Sequence, residues 1–482
     1  MIDLRPVGYV NGLLLSVLGL TMLGPMLADL AAGNGHWPVF LESAVLTLLT
    51  GMLMALSCHN GVKPKLSLRQ TFLLTSSVWI ALPAFGALPF VLGATDSSFT
   101  DAFFEAMSGI TTTGATVLTG LEELPRGLLL WRGILQWLGG IGIIVVAMVF
   151  LPELKVGGMQ VFRSEAFETM GKILPRAAEI AAGIAVIYVG MTLACALAYI
   201  ATGMEPFDAM VHAMTTLSTG GFANTDASFG AYGAGPHYVG TLFMFLSALP
   251  YVRYVQFAAG QPRPLLRDSQ VRDFFLTIMV CVLLIALSLA NYSHGFTEIA
   301  FRESLFNVVS IMSGTGYASA DYMTWGPFPV AMFFFIGLIG GCAGSTACSV
   351  KIFRYQILFA SIAAQIRKIH QPHGVFTPRY DGRPVPPDVL SSVMSFFVVF
   401  VVSIGITSVL LSLAGLDFIT SVSGAATAIA NVGPGLGPII GPAGNFQPLP
   451  DPAKWTLTLA MFVGRLELLV VLVVVTREFW RP

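Results

Sequence analysis

Four short stretches of this chain combine hydroxyls, small residues and glycine between long apolar runs. They are Thr111-Thr112-Thr113-Gly114-Ala115, Ser218-Thr219-Gly220-Gly221-Phe222, Ser313-Gly314-Thr315-Gly316-Tyr317 and Ala430-Asn431-Val432-Gly433-Pro434. Aligned on Gly114, Gly221, Gly316 and Gly433, they recur at intervals of 107, 95 and 117 residues. A hydroxyl stands six residues before each glycine (Ser108, Thr215, Ser310, Thr427), and thirteen before stand Asp101, Asp208, Glu303 and Thr420. In lipid, non-helical backbone is tolerated only where protein buries it or where it lines water. Arranged around one axis, four such stretches would aim backbone carbonyls at a common path, as a carbonyl ring does when it replaces the hydration shell of a cation. Glycine opens the backbone angles this needs, and the hydroxyls can add ligands or hold the loops. Helix packing through small residues would explain one such stretch; four in register, with shared upstream residues, argue for a repeated coordinating unit.

The composition says what frame must position them. Of 482 residues, 55% are hydrophobic and 11% charged, with a mean hydropathy of +0.77, whereas a soluble domain carries about 25% charged residues. The chain reads as an all-α polytopic membrane protein. A net charge of -1 argues against a nucleic-acid partner. The five cysteines (Cys58, Cys195, Cys281, Cys342, Cys348) lie in or beside apolar runs without metal-ligand spacing, and read as small core residues. The opening Met1-Ile2-Asp3-Leu4-Arg5-Pro6 leads into a run of span length with no small-residue cleavage site, as a retained first span would.

A helix needs about 20 apolar residues to cross the hydrocarbon core. Two such runs, 8–31 and 38–58, precede the first glycine stretch as two extra N-terminal transmembrane helices. Each stretch then ends a run too short to span, flanked by two long ones: 71–94, 99–111 and 128–151; 179–202, 206–218 and 237–258; 273–292, 299–312 and 326–350; 389–414, 417–430 and 453–476. The expected architecture is ten spans and four half-spans, as four tandem helix, pore-helix, helix repeats around a central pore. The divisions are an appendage over 1–62 and repeats over 63–178, 179–272, 273–388 and 389–482.

Short cytoplasmic loops collect Lys and Arg. With the N-terminus inside, Arg5, the loop Lys63 to Arg69, the loop Lys155 to Arg176, the segment Arg253 to Arg272, the loop Lys351 to Arg383 and the tail Arg477 to Arg481 share one side and hold 20 of the 25 basic residues. Both termini are therefore expected in the cytoplasm and the glycine stretches towards the outer face. The polar, proline-rich segment 366–388 is expected to be an irregular cytoplasmic loop, either a connector or a docking surface.

With these residues in view, the chain resembles the TrkH subunits of bacterial Trk potassium uptake systems, in the superfamily that includes KtrB and the plant HKT transporters. The resemblance rests on the four glycine stretches, on Ile339-Gly340-Gly341-Cys342-Ala343-Gly344-Ser345-Thr346-Ala347 and on Gly464-Arg465-Leu466-Glu467, and it covers essentially the whole chain. It implies a multi-pass protein of the bacterial inner membrane, a homodimer with one pore in each protomer, and K+ as the transported ion with no organic cofactor. It also implies a filter at Gly114, Gly221, Gly316 and Gly433, with potassium held by the backbone carbonyls of Thr112, Thr113, Gly220, Thr315, Asn431 and Val432. Gly220 is an alternative register for the second unit; Gly221 keeps the thirteen-residue spacing from Asp208 and sets Phe222 opposite Tyr317. Glycine in the first unit, rather than the serine of sodium-selective relatives, favours potassium. The expected partner is a cytoplasmic TrkA-type nucleotide-binding ring, for which the basic inner loops could supply a contact surface.

The run Gly340 to Ala347 is too flexible and hydroxyl-rich for an undisturbed lipid-facing helix, and its glycine density is confined to one returning span of four. Unwound, it would block the path below the filter; the resemblance makes it an intramembrane gating loop, although relatives often continue with more glycine where this chain has Cys348-Ser349. Arg465 stands mid-span, where a charge costs about 2.5–3.5 kcal/mol on insertion scales, so it faces the pore or a partner; the resemblance puts it near the gate, and a structural ion pair is the plainer alternative. Asp101, Asp208 and Glu303 either cap the half-helices or line a cation-concentrating vestibule. Glu105, His212 and Asn307 read as polar braces. An intramembrane enzyme would need converging catalytic residues, and the chain has no His-x-x-x-His, Gly-x-Ser-x-Gly or P-loop pattern. A sodium- or proton-coupled potassium symporter remains the alternative, although its usual inverted repeats differ from these parallel ones.

Overall fold

The computed structural model describes residues 2–61, 66–95, 97–147, 154, 157–159, 177–292 and 297–481. Most of the loop Lys155 to Arg176, and the start of the loop Lys63 to Arg69, lie outside the described residues. Arg5–Thr21, continued by Leu23–Ala32, forms an N-terminal hairpin with Trp37–Cys58. Small residues let these two helices touch: a Cβ on Gly12 would stand 2.6 Å from Ala55 N, and one on Gly51 2.7 Å from Ser16 N.

Four short helices, Phe99–Ile110, Pro206–Leu217, Glu298–Ser313 and Phe418–Ala430, end at the four glycine stretches. Twelve residues rise about 18 Å, roughly half of the hydrocarbon thickness. Local chemistry starts them. Ser98, Thr297 and Asp417 each accept, at 3.1 Å, the backbone N–H three residues on, and Pro206 occupies the first position of the second helix. Asp101 and Asp208 lie in first turns. Glu303 lies well inside its helix, whose start at Glu298 is capped by Thr297, so capping does not describe all three acids.

Each half-helix is preceded by a membrane helix: Leu68–Gly86 with Leu88–Leu92, Ala177–Ala201, Ser269–Tyr292 and Pro387–Leu413. The last shows Val398, Val401, Ile406 and Leu413 on its exposed surface, as a lipid-facing helix should. The returning segments are less regular. Arg126–Val145 is continuous, but the second consists of Ala234–Ser247 and Tyr251–Ala258, the third of Pro327–Ile336 and Ile352–His370, and the fourth of Asp451–Arg465 and Leu469–Val475 with a 107° bend. Among the described residues seven helices are long and apolar enough to span unbroken, eight if that bent pair counts as one; the second and third returning segments are divided into shorter helices. Breaks expected in the third repeat alone occur in three.

The expected irregular segment 366–388 is partly ordered. Its first residues continue the helix to His370, and a two-residue hairpin pairs Arg379–Tyr380 with Arg383–Pro384. Asp381 (φ 47°) and Gly382 (φ 76°) make the turn, the Asp-Gly pair that a tight hairpin with two left-handed positions favours.

Candidate functional site

The four half-helices end in the same way. The residue two before each glycine is left-handed: Thr112 (φ 52°), Thr219 (φ 50°), Gly314 (φ 79°) and Asn431 (φ 55°). Its N–H returns to the carbonyl three residues back, at 3.0 Å to Gly109, Thr216 and Ile311 and 3.3 Å to Ala428. The next N–H returns five residues back, from Thr113 to Ser108, Gly220 to Thr215, Thr315 to Ser310 and Val432 to Thr427, at 2.9–3.1 Å. This pair of bonds is a Schellman motif. Glycine or asparagine tolerates its left-handed position; a threonine there costs about 1–2 kcal/mol, which the surrounding bonds must offset. The glycine that follows is left-handed in every repeat: Gly114 (φ 84°), Gly221 (φ 76°), Gly316 (φ 81°) and Gly433 (φ 97°). Gly221, not Gly220, therefore occupies the equivalent position in the second repeat.

The four stretches close into a ring. A Cβ added to Gly114 would strike the Gly220 carbonyl oxygen, one on Gly221 that of Thr315, one on Gly316 that of Val432, and one on Gly433 that of Thr113, all within 3.0 Å. Each glycine thus makes room for the carbonyl that precedes the glycine of the next repeat, in the order one, two, three, four, one. The ring contains Thr113, Gly220, Thr315 and Val432. Thr112 and Asn431 belong to the left-handed layer one residue back, together with Thr219 and Gly314, which the sequence reading omitted. On the other side all four glycines line a vestibule of about 210 Å³, walled by Thr116, Phe222, Asp226, Ala318 and the segment 440–446.

Side chains brace the ring from behind. Gln136, fully buried, donates from Nε2 to the Gly220 oxygen at 2.6 Å and accepts from Phe222 N at 3.0 Å; a carbonyl has two lone pairs, so one remains for the ring. Arg132 and Glu105 form a buried ion pair at 2.8 Å. Glu105 also accepts from the Thr116 hydroxyl and from Val117 N at 3.0 Å, while Arg132 donates to the Ala223 carbonyl at 2.7 Å and lies 4.1 Å over the Phe222 ring. Asn307 does similar work in the third repeat, donating to Ser319 Oγ at 2.8 Å and accepting from Ser319 N at 3.2 Å. Tyr317 meets the Thr215 hydroxyl at 2.5 Å, and Asn431 donates to Thr113 Oγ1 at 2.9 Å, which ties the fourth stretch to the first. His212 donates from Nδ1 to the Asp208 carbonyl (2.8 Å) and stands edge-on to Phe229 and Tyr232. Burial, and then the Asp208 carboxylate, push the Tyr232 phenol upward from its ordinary value, so it stays a donor to that carboxylate. Asp208 also accepts from Asn224, and Asp101 pairs with Lys454 at 2.6 Å.

Below the ring the chain from Gly337 to Lys351 is not helical. Gly340 N donates to Val350 O, Cys342 N to Ala248 O, Ala343 N to Gln270 Oε1 and Thr346 Oγ1 to Ser247 O, while Gly344 O accepts from Tyr251 N, all at 2.9–3.0 Å. Gly341, Ser345 and Ala347 are buried within the same loop. The break at Ala248, Leu249 and Pro250 in the second repeat thus serves this loop: the carbonyls freed there receive its N–H and hydroxyl groups. Ser349 N reaches Ala430 O at 2.8 Å. Arg465 is 5% exposed and donates from Nη1 to Cys348 Sγ at 2.9 Å; among the described residues its Nε and Nη2 have no partner. Glu467 pairs instead with Arg354, which sits 3.7 Å over the Phe396 ring. The sequence reading passed over Arg132 and Gln136. Both are polar residues four apart in an apolar helix, which is a readable signal.

A ring of half-helix ends inside a shell of apolar helices defines a multi-pass membrane protein built on re-entrant segments. The chain belongs to the TrkH family: the family's model, described as a cation transport protein, matches residues 36–480. That is a family of transporters, not of enzymes. The chain is similar to the Trk system potassium uptake protein TrkI of Halomonas elongata, 49% identical over 417 residues (86% of this chain, 84% of that one). It is also similar to the Trk system potassium uptake protein TrkH of Vibrio parahaemolyticus, 35% identical over 485 residues and 99% of each chain. The crystal structure of the potassium transporter TrkH from Vibrio parahaemolyticus superposes with a TM-score of 0.91 at 33% identity, covering 100% of both chains.

Proposed function

We propose that this chain is the ion-conducting, gated subunit of a potassium uptake system in the bacterial inner membrane. The observation that carries the reading is the closed order of four carbonyls, each seated where the neighbouring repeat has a glycine. Potassium enters from the vestibule and exchanges its water for the carbonyls of Thr113, Gly220, Thr315 and Val432, then meets the layer of Thr112, Thr219, Gly314 and Asn431. The membrane potential drives it inward, at about 2.3 kcal/mol per charge for each 100 mV. The loop Gly340 to Ala347 and the positive charge of Arg465 oppose its exit and form the gate. The relatives' names, Trk system potassium uptake proteins, support potassium as the ion.

The termini and basic loops lie in the cytoplasm, following the distribution of Lys and Arg. Two copies form a homodimer, and the basic inner surface receives a TrkA-type nucleotide-binding ring. The test is potassium and sodium flux into proteoliposomes holding the chain, with and without an imposed potential. Potential-driven flux with potassium ahead of sodium is expected, and equal flux of the two ions would overturn the filter. Uphill uptake driven by a sodium or proton gradient, without a potential, would replace the conduit with a coupled symporter.

A further inference from the structure

Cys348 occupies a place that neither packing nor conduction accounts for. Because the ring closes in repeat order, the first and third repeats face each other across its axis. Cys348 touches both: its Sγ lies 3.6 Å from Thr112 Oγ1, and a Cβ on Gly314 would stand 2.6 Å from its own Cβ. The thiol therefore lies across the path, one layer below the carbonyl ring. It is 3% exposed, and Arg465 Nη1 donates to its sulfur at 2.9 Å. The rest of that guanidinium is unusual. Nε and Nη2 are buried donors without a hydrogen-bond partner among the described residues, on a side chain 5% exposed, and an unpaired buried donor forfeits its hydration without replacement. Arg465 and Cys348 line a common cavity of about 40 Å³ with Lys351, Ser345 and Asn431; about 10–15 Å³ suffices for a water, so an oxidant of similar size fits.

We propose that Cys348 is a reversible oxidation site for hydrogen peroxide, and that the oxygen it gains is held by the free N–H groups of Arg465. The thiol sulfur attacks one peroxide oxygen. An S–O bond forms, the O–O bond breaks, and the thiol proton leaves with the departing hydroxide as water. Sulfur loses two electrons, peroxide gains them, and the product is a sulfenic acid, which thiols reduce. Hydrogen bonds from a cation to that oxygen are of the stronger, charge-assisted kind. They would fasten the loop to the fourth repeat while the added atom fills the axis, so oxidation shuts the path. The effect on flux rests on the conduit reading above; the chemistry does not.

The test uses the full chain in liposomes, treated with hydrogen peroxide and then with dimedone, with peptide mass spectrometry and potassium flux read in parallel. The expected result is a dimedone adduct at Cys348 in preference to Cys58, Cys195, Cys281 and Cys342, a loss of flux after peroxide that a thiol reductant reverses, and no such loss in Cys348→Ser. Arg465→Gln should lower the adduct yield; an unchanged yield removes the arginine from the proposal. Absence of the adduct at Cys348 overturns the oxidation site, and equal flux loss in Cys348→Ser overturns its link to the gate. If neither sample conducts before peroxide, the failure belongs to the conduit reading, and the adduct alone decides the chemistry.

Discussion

In the conduit proposed above, the outer and inner halves of the central path are built on opposite plans. Outside, four sequences as different as Thr-Thr-Gly, Thr-Gly-Gly, Gly-Thr-Gly and Asn-Val-Gly adopt one backbone course, with the same left-handed residue, the same two returning bonds and the same left-handed glycine. Inside, the returning segments break differently: at Pro250, through the glycine-rich loop, and at Glu467 and Leu468 with φ of 60° and 51°. An ion coordinated by four walls at once needs four equivalent carbonyls, so the outer half keeps its repeat. One segment is enough to obstruct a path. The inner half is free of that constraint; in the proposed gate the third repeat supplies the obstruction, and the second and fourth break around its loop.

The braces are where the outer half departs from symmetry, and the largest effect is expected there. The position nine before the glycine is Glu105, His212, Asn307 and Gly424 in turn, and only the first is a carboxylate paired with a buried cation. Glu105→Ala leaves the buried Arg132 without its counter-charge, which costs about 3–5 kcal/mol; Asn307→Ala loses neutral hydrogen bonds, at about 1–3 kcal/mol. Denaturation in detergent should show the first variant well below the second. Equal losses would mean that the Glu105 and Asn307 braces are interchangeable despite their chemistry.

Next is the ring itself. Gly221→Ala drives a methyl into the Thr315 carbonyl from a left-handed residue, whereas Gly220→Ala meets the Gln136 side chain. Backbone yields less than a side chain, so Gly221→Ala should lower discrimination of potassium from sodium by about tenfold, equivalent to about 1.4 kcal/mol, and Gly220→Ala by less. The reverse order, in the same flux assay, would move the second repeat's register by one residue. Gly316→Ser should likewise reduce discrimination. A smaller change is expected in the inner half: Arg465→Ala removes a buried positive charge from below the ring, and should raise cation flux several-fold without altering selectivity. If selectivity falls too, the two halves are not separable.

The half-helices were legible in the sequence to within a few residues because length and glycine both mark them. The left-handed layer was not: at Gly314 and Asn431 residue type suggests it, but at Thr112 and Thr219 a β-branched residue sits where propensity opposes it, and only the closure of the ring imposes it. The break at Pro250 carried a proline signal that a continuous apolar run obscured. The bend after Arg465 carried none, since Leu466, Glu467 and Leu468 are ordinary helix formers. Its cause is tertiary: Glu467 is drawn to Arg354 and away from the helix of Arg465.

The smallest effect is expected at the starts of the half-helices, far from the ring. Asp417 accepts Thr420 N at 3.1 Å and begins the fourth half-helix, a cap whose loss costs about 1 kcal/mol. Asp417→Ala should therefore lower the denaturation midpoint slightly. Selectivity should hold, because the ring end of this helix is fixed by its own Schellman bonds and by the Asn431 contacts with Thr113 and the Met461 carbonyl, both at 2.9 Å. Ser98→Ala in the first repeat should behave alike, since its cap has the same geometry. Reduced discrimination in either variant would show that the carbonyl positions depend on where the half-helix begins, and the outer half would then owe its regularity to the whole helix and not to its last turn.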